Sequence, residues 1–192
     1  MSTASVLTLE TNQTRSWLRS AGIVVLSSFL IGLFAKVAIP LPFTPVPIAT
    51  QGCVILILSA FLGSRRASAA VLGFLAQGAA GLPVFAGGVG GMAKLLGPTG
   101  GYFFGYLAAA FLVGFLVERM QDRTPMKLLG ALAAGNALFF FFGVPYLALF
   151  VGFQKAILLG LAPFILGDLI KLAAGVKILE WLQKISCVTQ EV

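Results

Sequence analysis

Long apolar stretches with almost no charged residues occupy most of this 192-residue sequence. Six of them can be delimited, at Trp17–Ala38, Pro47–Leu62, Ala67–Ala80, Gly101–Val117, Lys127–Phe150 and Pro163–Gln183. Hydrophobic residues make up 59% of the chain and charged residues 10%, a balance that a water-soluble domain could not keep in solution. The sequence therefore predicts an all-α integral protein of the cell membrane with six transmembrane helices.

The predicted domain organisation has one membrane domain and two short ends. A polar segment at 1–16 precedes a single six-helix domain at 17–184, and a tail follows at 185–192. The first sixteen residues contain no hydrophobic region that ends in a small-residue cleavage site, so we expect no secretory signal. We expect the chain to be inserted into the membrane, with the lipid bilayer as its surroundings.

Two of the apolar segments are short for a membrane span. A bilayer core is about 30 Å thick, and a helix that rises about 1.5 Å per residue needs roughly twenty residues to cross it. Pro47–Leu62 and Ala67–Ala80 are shorter, and each adjoins a connection rich in glycine and proline, at Ile39–Gln51 and Gly81–Tyr102. Irregular backbone near membrane depth is tolerated only where protein covers it or where it lines a cavity. We therefore expect these loops to cap a cavity.

The basic residues are unevenly divided between the two sides of the predicted bundle. With six crossings, nine of them fall on the side of the termini: Arg15, Arg19, Arg65, Arg66, Arg119, Arg123, Lys127, Lys177 and Lys184. Three fall on the opposite side: Lys36, Lys94 and Lys155. This asymmetry predicts that both termini are cytoplasmic and that the cavity with its loops faces outward. It also accounts for the net charge of +7, so we expect no nucleic-acid partner.

Several kinds of chemistry lack their residues in this sequence. It has no histidine, and its two cysteines, Cys53 and Cys187, are far apart in the sequence. We therefore expect neither a metal site nor a disulfide framework. The stretch Gly88–Ala93 matches a dinucleotide fingerprint, but that motif binds only within a βαβ unit. The sequence contains neither a Walker A loop nor a protease motif. It therefore predicts a protein that is not an enzyme and needs no cofactor.

Two ionisable residues, Asp168 and Lys171, remain inside the membrane in this assignment, in the stretch Pro163–Lys171. A charge at the bilayer centre costs about 2.5–3.5 kcal/mol on insertion scales. At a spacing of three residues the two side chains share a helix face and can neutralise each other. One interpretation is a structural pair that joins the last helix to a neighbour. The other is a polar site under the outer loops, which Pro163 favours because proline suits the first turn of a helix that starts near the outer face.

A stripe of small residues runs along the first predicted helix. Ser28, Gly32 and Ala35 share one face, which permits close approach of another helix backbone. Packing within the chain and docking to another membrane protein both remain open on this pattern alone.

Four motifs, spread in order over nearly the whole chain, resemble a known family. They are LPFTPVPIATQ, GLPVFAGGVGG, LLGPTGGYFFGY and PFILGDLIK. Together they are similar to the BioY family, the biotin-binding subunits of energy-coupling-factor (ECF) vitamin transporters. The resemblance implies a six-helix fold that binds biotin from outside and associates with a coupling membrane protein and two ABC-type ATPases. It also implies that the small residues Ser28, Gly32 and Ala35 face the coupling protein.

With biotin as the ligand that the resemblance implies, the polar residues of the sequence lead to a hypothesis about the ligand contacts. We expect Asp168 to accept a ureido N–H of biotin, while Lys171 keeps Asp168 ionised and donates to the ligand. We expect Lys94 to meet the carboxylate, with Gln51, Thr99 and Tyr102 as hydrogen-bonding neighbours. The other interpretation of Lys94 is a solvated lysine on an outer loop.

In the second loop, we expect Gly87 and Gly88 to let the backbone approach the ligand and Phe85 to pack the loop down as a lid. Members of the family often carry a polar residue directly after PVF, and this sequence has Ala86 there. The alternatives are a subunit for another vitamin, since a fold does not fix its ligand, and a non-transporting membrane scaffold.

Overall fold

The computed structural model describes the backbone of residues 3–188 and the side chains of residues 16–184. Arg15 and Cys187 therefore have side chains outside the described residues. Eight helices and one antiparallel pair of strands make up the described part: α1 (Thr3–Ala35), β1 (Ala38–Ile39), β2 (Ile48–Ala49), α2 (Gln51–Leu62), α3 (Ser64–Ala79), α4 (Met92–Leu95), α5 (Gly100–Glu118), α6 (Pro125–Val151), α7 (Phe153–Gly160) and α8 (Ile165–Val188). Because α1 starts at Thr3, it includes most of segment 1–16; the predicted domain boundaries stay a prediction.

Each of the six apolar segments overlaps one of the longer helices, namely α1, α2, α3, α5, α6 and α8. Three stretches are long and apolar enough to cross a membrane alone: Ser16–Ala35, Gly100–Glu118 and Pro125–Val151. A fourth results if α7 and α8, which meet at a bend of 44°, count as one span. Since α2 and α3 have only 12 and 16 residues, the crossing of all six helices stays a prediction.

The outer surface of the bundle is apolar. Leu26, Leu149 and Leu166 are each more than 70% exposed, and aromatic side chains such as Phe104 and Phe141 also point outward. Such a surface is unfavourable in water and is what a helix presents to lipid tails. The described part of the chain is thus built for a bilayer, as the sequence predicts.

A sharp corner at Gly63 joins α2 directly to α3. Gly63 has a φ of 82°, and a Cβ atom there would overlap the carboxylate of Glu118 at the end of α5. That carboxylate accepts the Ser64 backbone N–H at 2.7 Å and the Ser64 hydroxyl at 2.9 Å. Glu118 therefore caps the first turn of α3, where free N–H groups favour a negative charge.

The small-residue stripe of α1 lies inside the chain. Ser28 is 1% exposed and Ala35 is fully buried. Gln77 of α3 donates a hydrogen bond of 2.7 Å to the Ser28 hydroxyl, and a Cβ atom at Gly32 would lie 3.0 Å from the Cβ of Val84 in the second loop. A partner that docked on these residues would have to displace α3 and this loop, so the docking role stays a prediction.

Three connections lie over the same end of the bundle. The first connection (residues 36–50) carries the short β1–β2 pair, the second (residues 80–99) carries α4, and the third (residues 152–164) contains α7. The Thr44 hydroxyl of the first connection donates to the Leu159 carbonyl of α7 at 2.8 Å. The Tyr146 hydroxyl of α6 donates to the Leu96 carbonyl beside α4 at 3.2 Å. These bonds hold the first connection to α7 and the second connection to α6.

Candidate functional site

A cavity opens between α2, α5, α6 and α8 beneath the first connection. Its wall is formed by aliphatic, aromatic and a few polar residues: Val46, Pro47, Ala49, Gly52, Cys53, Leu56, Ile57, Tyr102, Tyr106, Leu132, Asn136, Phe139, Phe140, Phe164, Asp168, Lys171, Leu172 and Gly175. We call it the main cavity. Mostly apolar walls with a few convergent polar groups are typical of small-molecule sites.

Asp168 is the centre of the polar network in the main cavity. Its Oδ1 lies 3.3 Å from the ammonium of Lys171, and its Oδ2 accepts a hydrogen bond of 3.0 Å from Asn136 Nδ2. The Lys171 ammonium also donates to the Ala49 carbonyl of β2 at 3.1 Å. Asp168 lies in the first turn of α8, where the helix dipole favours its negative charge. The pair is thus neutralised within the bundle and still faces the cavity.

Aromatic rings form another part of this wall. The Tyr102 hydroxyl donates to the Gly160 carbonyl of α7 at 2.7 Å. Its ring fits between α6 and α7 because Gly143 and Gly160 have no side chains, and a Cβ atom at either would collide with Tyr102. The ring of Tyr106 packs edge-on against Phe139 at a centroid distance of 4.8 Å. The contacts with α6 and α7 therefore fix the rings of Tyr102 and Tyr106 in the cavity wall.

A smaller second cavity adjoins the main cavity across the two tyrosines. Besides the shared residues Val46, Pro47, Ala49, Tyr102 and Tyr106, its wall is formed by Gln51, Ala86, Lys94, Thr99 and Phe103. Gln51 and Thr99 are 3% and 7% exposed, and neither Gln51 Oε1 nor Thr99 Oγ1 has a hydrogen-bond partner among the described residues. Buried polar atoms are normally paired. This second cavity therefore has unused capacity for a polar group.

The structure brings most of the predicted site residues together. Asp168 and Lys171 line the main cavity, while Gln51, Lys94 and Thr99 line the second cavity, and Tyr102 lines both. These six residues, which lie in α2, α4 and α8 and in or directly before α5, thus share one end of the bundle.

Three predicted residues do not line either cavity. Gly87 and Gly88 have φ values of 83° and 71° and form the tip of a turn closed by the Phe85–Val89 pair. Both glycines are exposed, and added Cβ atoms there would meet nothing within 4 Å. They serve the turn, which needs a left-handed backbone. Phe85 is fully buried and packs edge-on against Phe74, at 5.4 Å between ring centroids.

Sequence reasoning missed three residues that line the main cavity, Asn136, Tyr106 and Cys53. Asn136 carried a usable signal, because it is the one side-chain amide in the 27-residue apolar helix α6. Tyr106 lies one turn after Tyr102, and its hydroxyl accepts a hydrogen bond of 3.0 Å from Gln51 Nε2. Cys53 carried no signal, since an isolated cysteine in an apolar helix is usual.

Comparison with known proteins places the chain in a family. The BioY family profile matches residues 5–186. The biotin transporter BioY of Thermotoga maritima is 37% identical over 148 residues, which covers 77% of this chain and 86% of that protein. The probable biotin transporter BioY of Pyrococcus horikoshii is 36% identical over 165 residues, which covers 86% of this chain and 96% of that protein.

The fold is similar to that of a solved structure. A crystal structure at 2.1 Å, described as the S-component for biotin from an ECF-type ABC transporter, matches with a TM-score of 0.81 and 29% sequence identity. The match covers 88% of this chain and 93% of the other. Family profile, relatives and fold agree over nearly the whole length, and the chain therefore belongs to the BioY family.

Proposed function

We propose that this chain captures biotin at the cell membrane as the S component of an ECF-type ABC transporter. Its family, its relatives named as biotin transporters and the similar fold of a biotin S-component support this function. The observation that carries the proposal is the main cavity, whose wall contains both aromatic rings and the Asp168–Lys171 pair. Biotin has the matching shape, with a compact apolar bicycle that carries a polar cyclic urea at one end.

The ureido end of biotin would lie against Asp168 and Lys171. A carboxylate offers about four lone-pair sites, so Asp168 can accept a ligand N–H while it stays bonded to its two protein donors. Lys171 carries three N–H groups, of which one faces Asp168 and one faces the Ala49 carbonyl. The remaining donor is available to the ureido carbonyl. The rings of Tyr102 and Tyr106 would cover the bicycle.

The valerate tail would cross the two tyrosines into the second cavity. Lys94 lines this cavity, and no carboxylate pairs with it among residues 16–184. The Thr99 hydroxyl is free to donate. Because the Tyr106 hydroxyl both donates and accepts, the Gln51 amide can bond it through either end, and the reversed orientation turns Nε2 toward the carboxylate. One cation and two donors then meet the ligand's negative charge.

The proposed topology has six spans and cytoplasmic termini. The bilayer can thin locally around short spans at modest cost, which accommodates α2 and α3 with their 12 and 16 residues. The basic side chains Arg65, Arg66 and Arg119 lie at the end of the bundle opposite the two cavities and are exposed. With that end in the cytoplasm, the cavities and the three connections above them face outward.

Uptake against a gradient would rely on other subunits. We propose that a coupling membrane protein and two ABC-type ATPases supply the energy, and that this chain binds and releases biotin without catalysing a reaction. A subunit for a different vitamin would keep the fold and change the polar groups of the main cavity. A scaffold without a ligand would tolerate the loss of the Asp168 and Lys171 charges.

Equilibrium binding of labelled biotin to the purified full-length protein tests the proposal. We expect saturable binding with one site per chain, in the nanomolar range that corresponds to about −12 kcal/mol. Ring burial and charge-assisted hydrogen bonds together supply free energy of this size. Well-folded protein that shows no saturable binding below high micromolar biotin would contradict biotin capture, and a panel of other labelled vitamins would then identify the alternative ligand.

A further inference from the structure

Asn136 is a polar side chain that the Asp168–Lys171 pair alone does not explain. It lies in the middle of α6 between two residues of the same cavity wall, Leu132 and Phe139. Its Nδ2 donates to Asp168 Oδ2 at 3.0 Å. An ion pair that is already neutral gains little from one more donor, while an amide in an apolar helix costs desolvation free energy.

The orientation of this amide follows from its partner. Both oxygens of the Asp168 carboxylate act as acceptors, since the Lys171 ammonium lies 3.3 Å from Oδ1 and Asn136 Nδ2 lies 3.0 Å from Oδ2. The NH₂ group of Asn136 must therefore face Asp168, and the carbonyl oxygen Oδ1 must face away. Among residues 16–184, the bond to Asp168 is the one hydrogen bond that the Asn136 side chain makes.

One hydrogen of the NH₂ group remains after the bond to Asp168. A primary amide has one hydrogen syn and one anti to its carbonyl oxygen. With the anti hydrogen bonded to Asp168 and Oδ1 facing away, the syn hydrogen and Oδ1 form one edge that presents a donor and an acceptor. With the neighbouring carboxylate, Asp168 and Asn136 form a row of acceptor, donor and acceptor on the cavity wall. A cyclic urea presents the complementary row, which is N–H, C=O and N–H.

Given biotin capture, on which this inference rests, we propose that Asn136 is a specificity residue for the cyclic urea. Its amide edge pairs with the ureido carbonyl and one ureido N–H, while Asp168 accepts the other N–H. The ureido oxygen has two lone pairs and can accept from Lys171 at the same time. A ligand that lacks one N–H leaves an acceptor of the site unpaired, which is costly in a partly buried site.

Binding of biotin and of its two mono-N-methyl ureido derivatives to wild type and to Asn136→Ala tests this role. We expect wild type to bind both derivatives more weakly than biotin. Asn136→Ala should bind biotin about threefold to tenfold more weakly, and it should no longer discriminate against one of the two derivatives. Discrimination against the derivative whose missing N–H faces Asp168 should persist. Phe141→Ala, a truncation on the outward face of the same helix, should leave all three affinities unchanged.

The outcomes separate this role from the others. If Asn136 only orients Asp168, all three ligands weaken by the same factor in Asn136→Ala, and the specificity role is overturned. The same conclusion follows if no affinity changes. If wild type binds none of the three ligands, biotin capture itself fails. Asn136→Ser, which cannot present an amide edge, replaces Asn136→Ala if the latter does not fold.

Discussion

At the residue scale, the ion pair in the main cavity has more than one task. Lys171 bonds Asp168 within α8 and the Ala49 carbonyl of the first connection, so the same ammonium supports the carboxylate and the roof. Asp168 in turn orders Asn136. A change at either charge therefore affects the ligand groups and the elements that hold them.

Removing one member of this pair should abolish tight binding. Asp168→Asn or Lys171→Met leaves the other charge unpaired in the bundle, which costs about 3–5 kcal/mol. We expect each single variant to bind labelled biotin at least a hundredfold more weakly, and the double variant to bind little worse than either single one. Lys177→Met is the control, since it makes the same change at an exposed position of α8. Normal binding by both single variants would show that the pair is structural.

The role of Lys94 can be separated from a general effect on the loop. Lys94→Ala should bind biotin more weakly than wild type does, because a carboxylate is expensive to bury without a cation. Biotin amide carries no charge, so its affinity should change little between the two proteins. Lys155→Ala removes an exposed lysine of α7 and should affect neither ligand. An equal loss for biotin and biotin amide in Lys94→Ala would contradict the contact.

At the element scale, the apolar segments predict the helices well because burial and length decide them. The segments Gly101–Val117 and Lys127–Phe150 differ from α5 and α6 by one or two residues at each end. The sequence does not reveal the β1–β2 pair or α4, since elements of two and four residues carry no periodicity. The sequence does not predict α7 either, because its eight residues follow the turn at Gly152 and resemble a loop in their pattern.

The interface between α1 and the second connection gives a prediction at this scale. Gly32→Leu should push Val84 away, because a Cβ atom alone already lies 3.0 Å from its Cβ. We expect the thermal midpoint in detergent to fall and biotin to bind more weakly, as the loop loses its support. Gly22→Leu is the matched control on the same helix, where an added Cβ meets nothing within 4 Å.

The same variant distinguishes the two readings of the small-residue stripe. If Ser28, Gly32 and Ala35 dock a partner, Gly32→Leu abolishes energised uptake while biotin binding to the purified protein stays normal. If they pack the chain internally, as their burial indicates, binding and stability fall together. Measuring biotin binding and the thermal midpoint on one preparation of Gly32→Leu decides between the two interpretations.

At the scale of the whole molecule, hydropathy and basic residues predict the membrane class and a cavity under the loops. They do not predict which polar groups meet there, because the site combines residues far apart in sequence, such as Cys53, Asn136 and Lys171. Their convergence depends on how the helices cross. Asp168 could be predicted as a site residue because a charge inside a membrane is costly and is kept only where it has a role. The position of Asn136 in the cavity wall could not be predicted without the fold.

We expect the isolated chain to bind biotin but not to concentrate it, because we expect the energy for uptake to come from other subunits. Reconstituted alone in sealed vesicles, it should bind biotin but not raise the free internal concentration above the external one. The sequence has no phosphate-binding loop. Among residues 16–184, Asp168–Lys171 is the one ion pair inside the bundle, without a series of ionisable groups for a proton relay beside it. Vesicles are compared with and without an imposed ion gradient. Gradient-dependent accumulation would replace this mechanism with secondary transport.

The bond between Lys171 and the Ala49 carbonyl has a kinetic consequence. This bond holds β2 over the cavity while the third N–H of the ammonium stays available to a ligand, so a bound ligand and a closed roof are compatible. A ligand that passes beneath β2 would depend, on entry and on escape alike, on how firmly this bond holds the strand. Strengthening the roof equally in the free and bound states would slow both directions and leave the affinity unchanged.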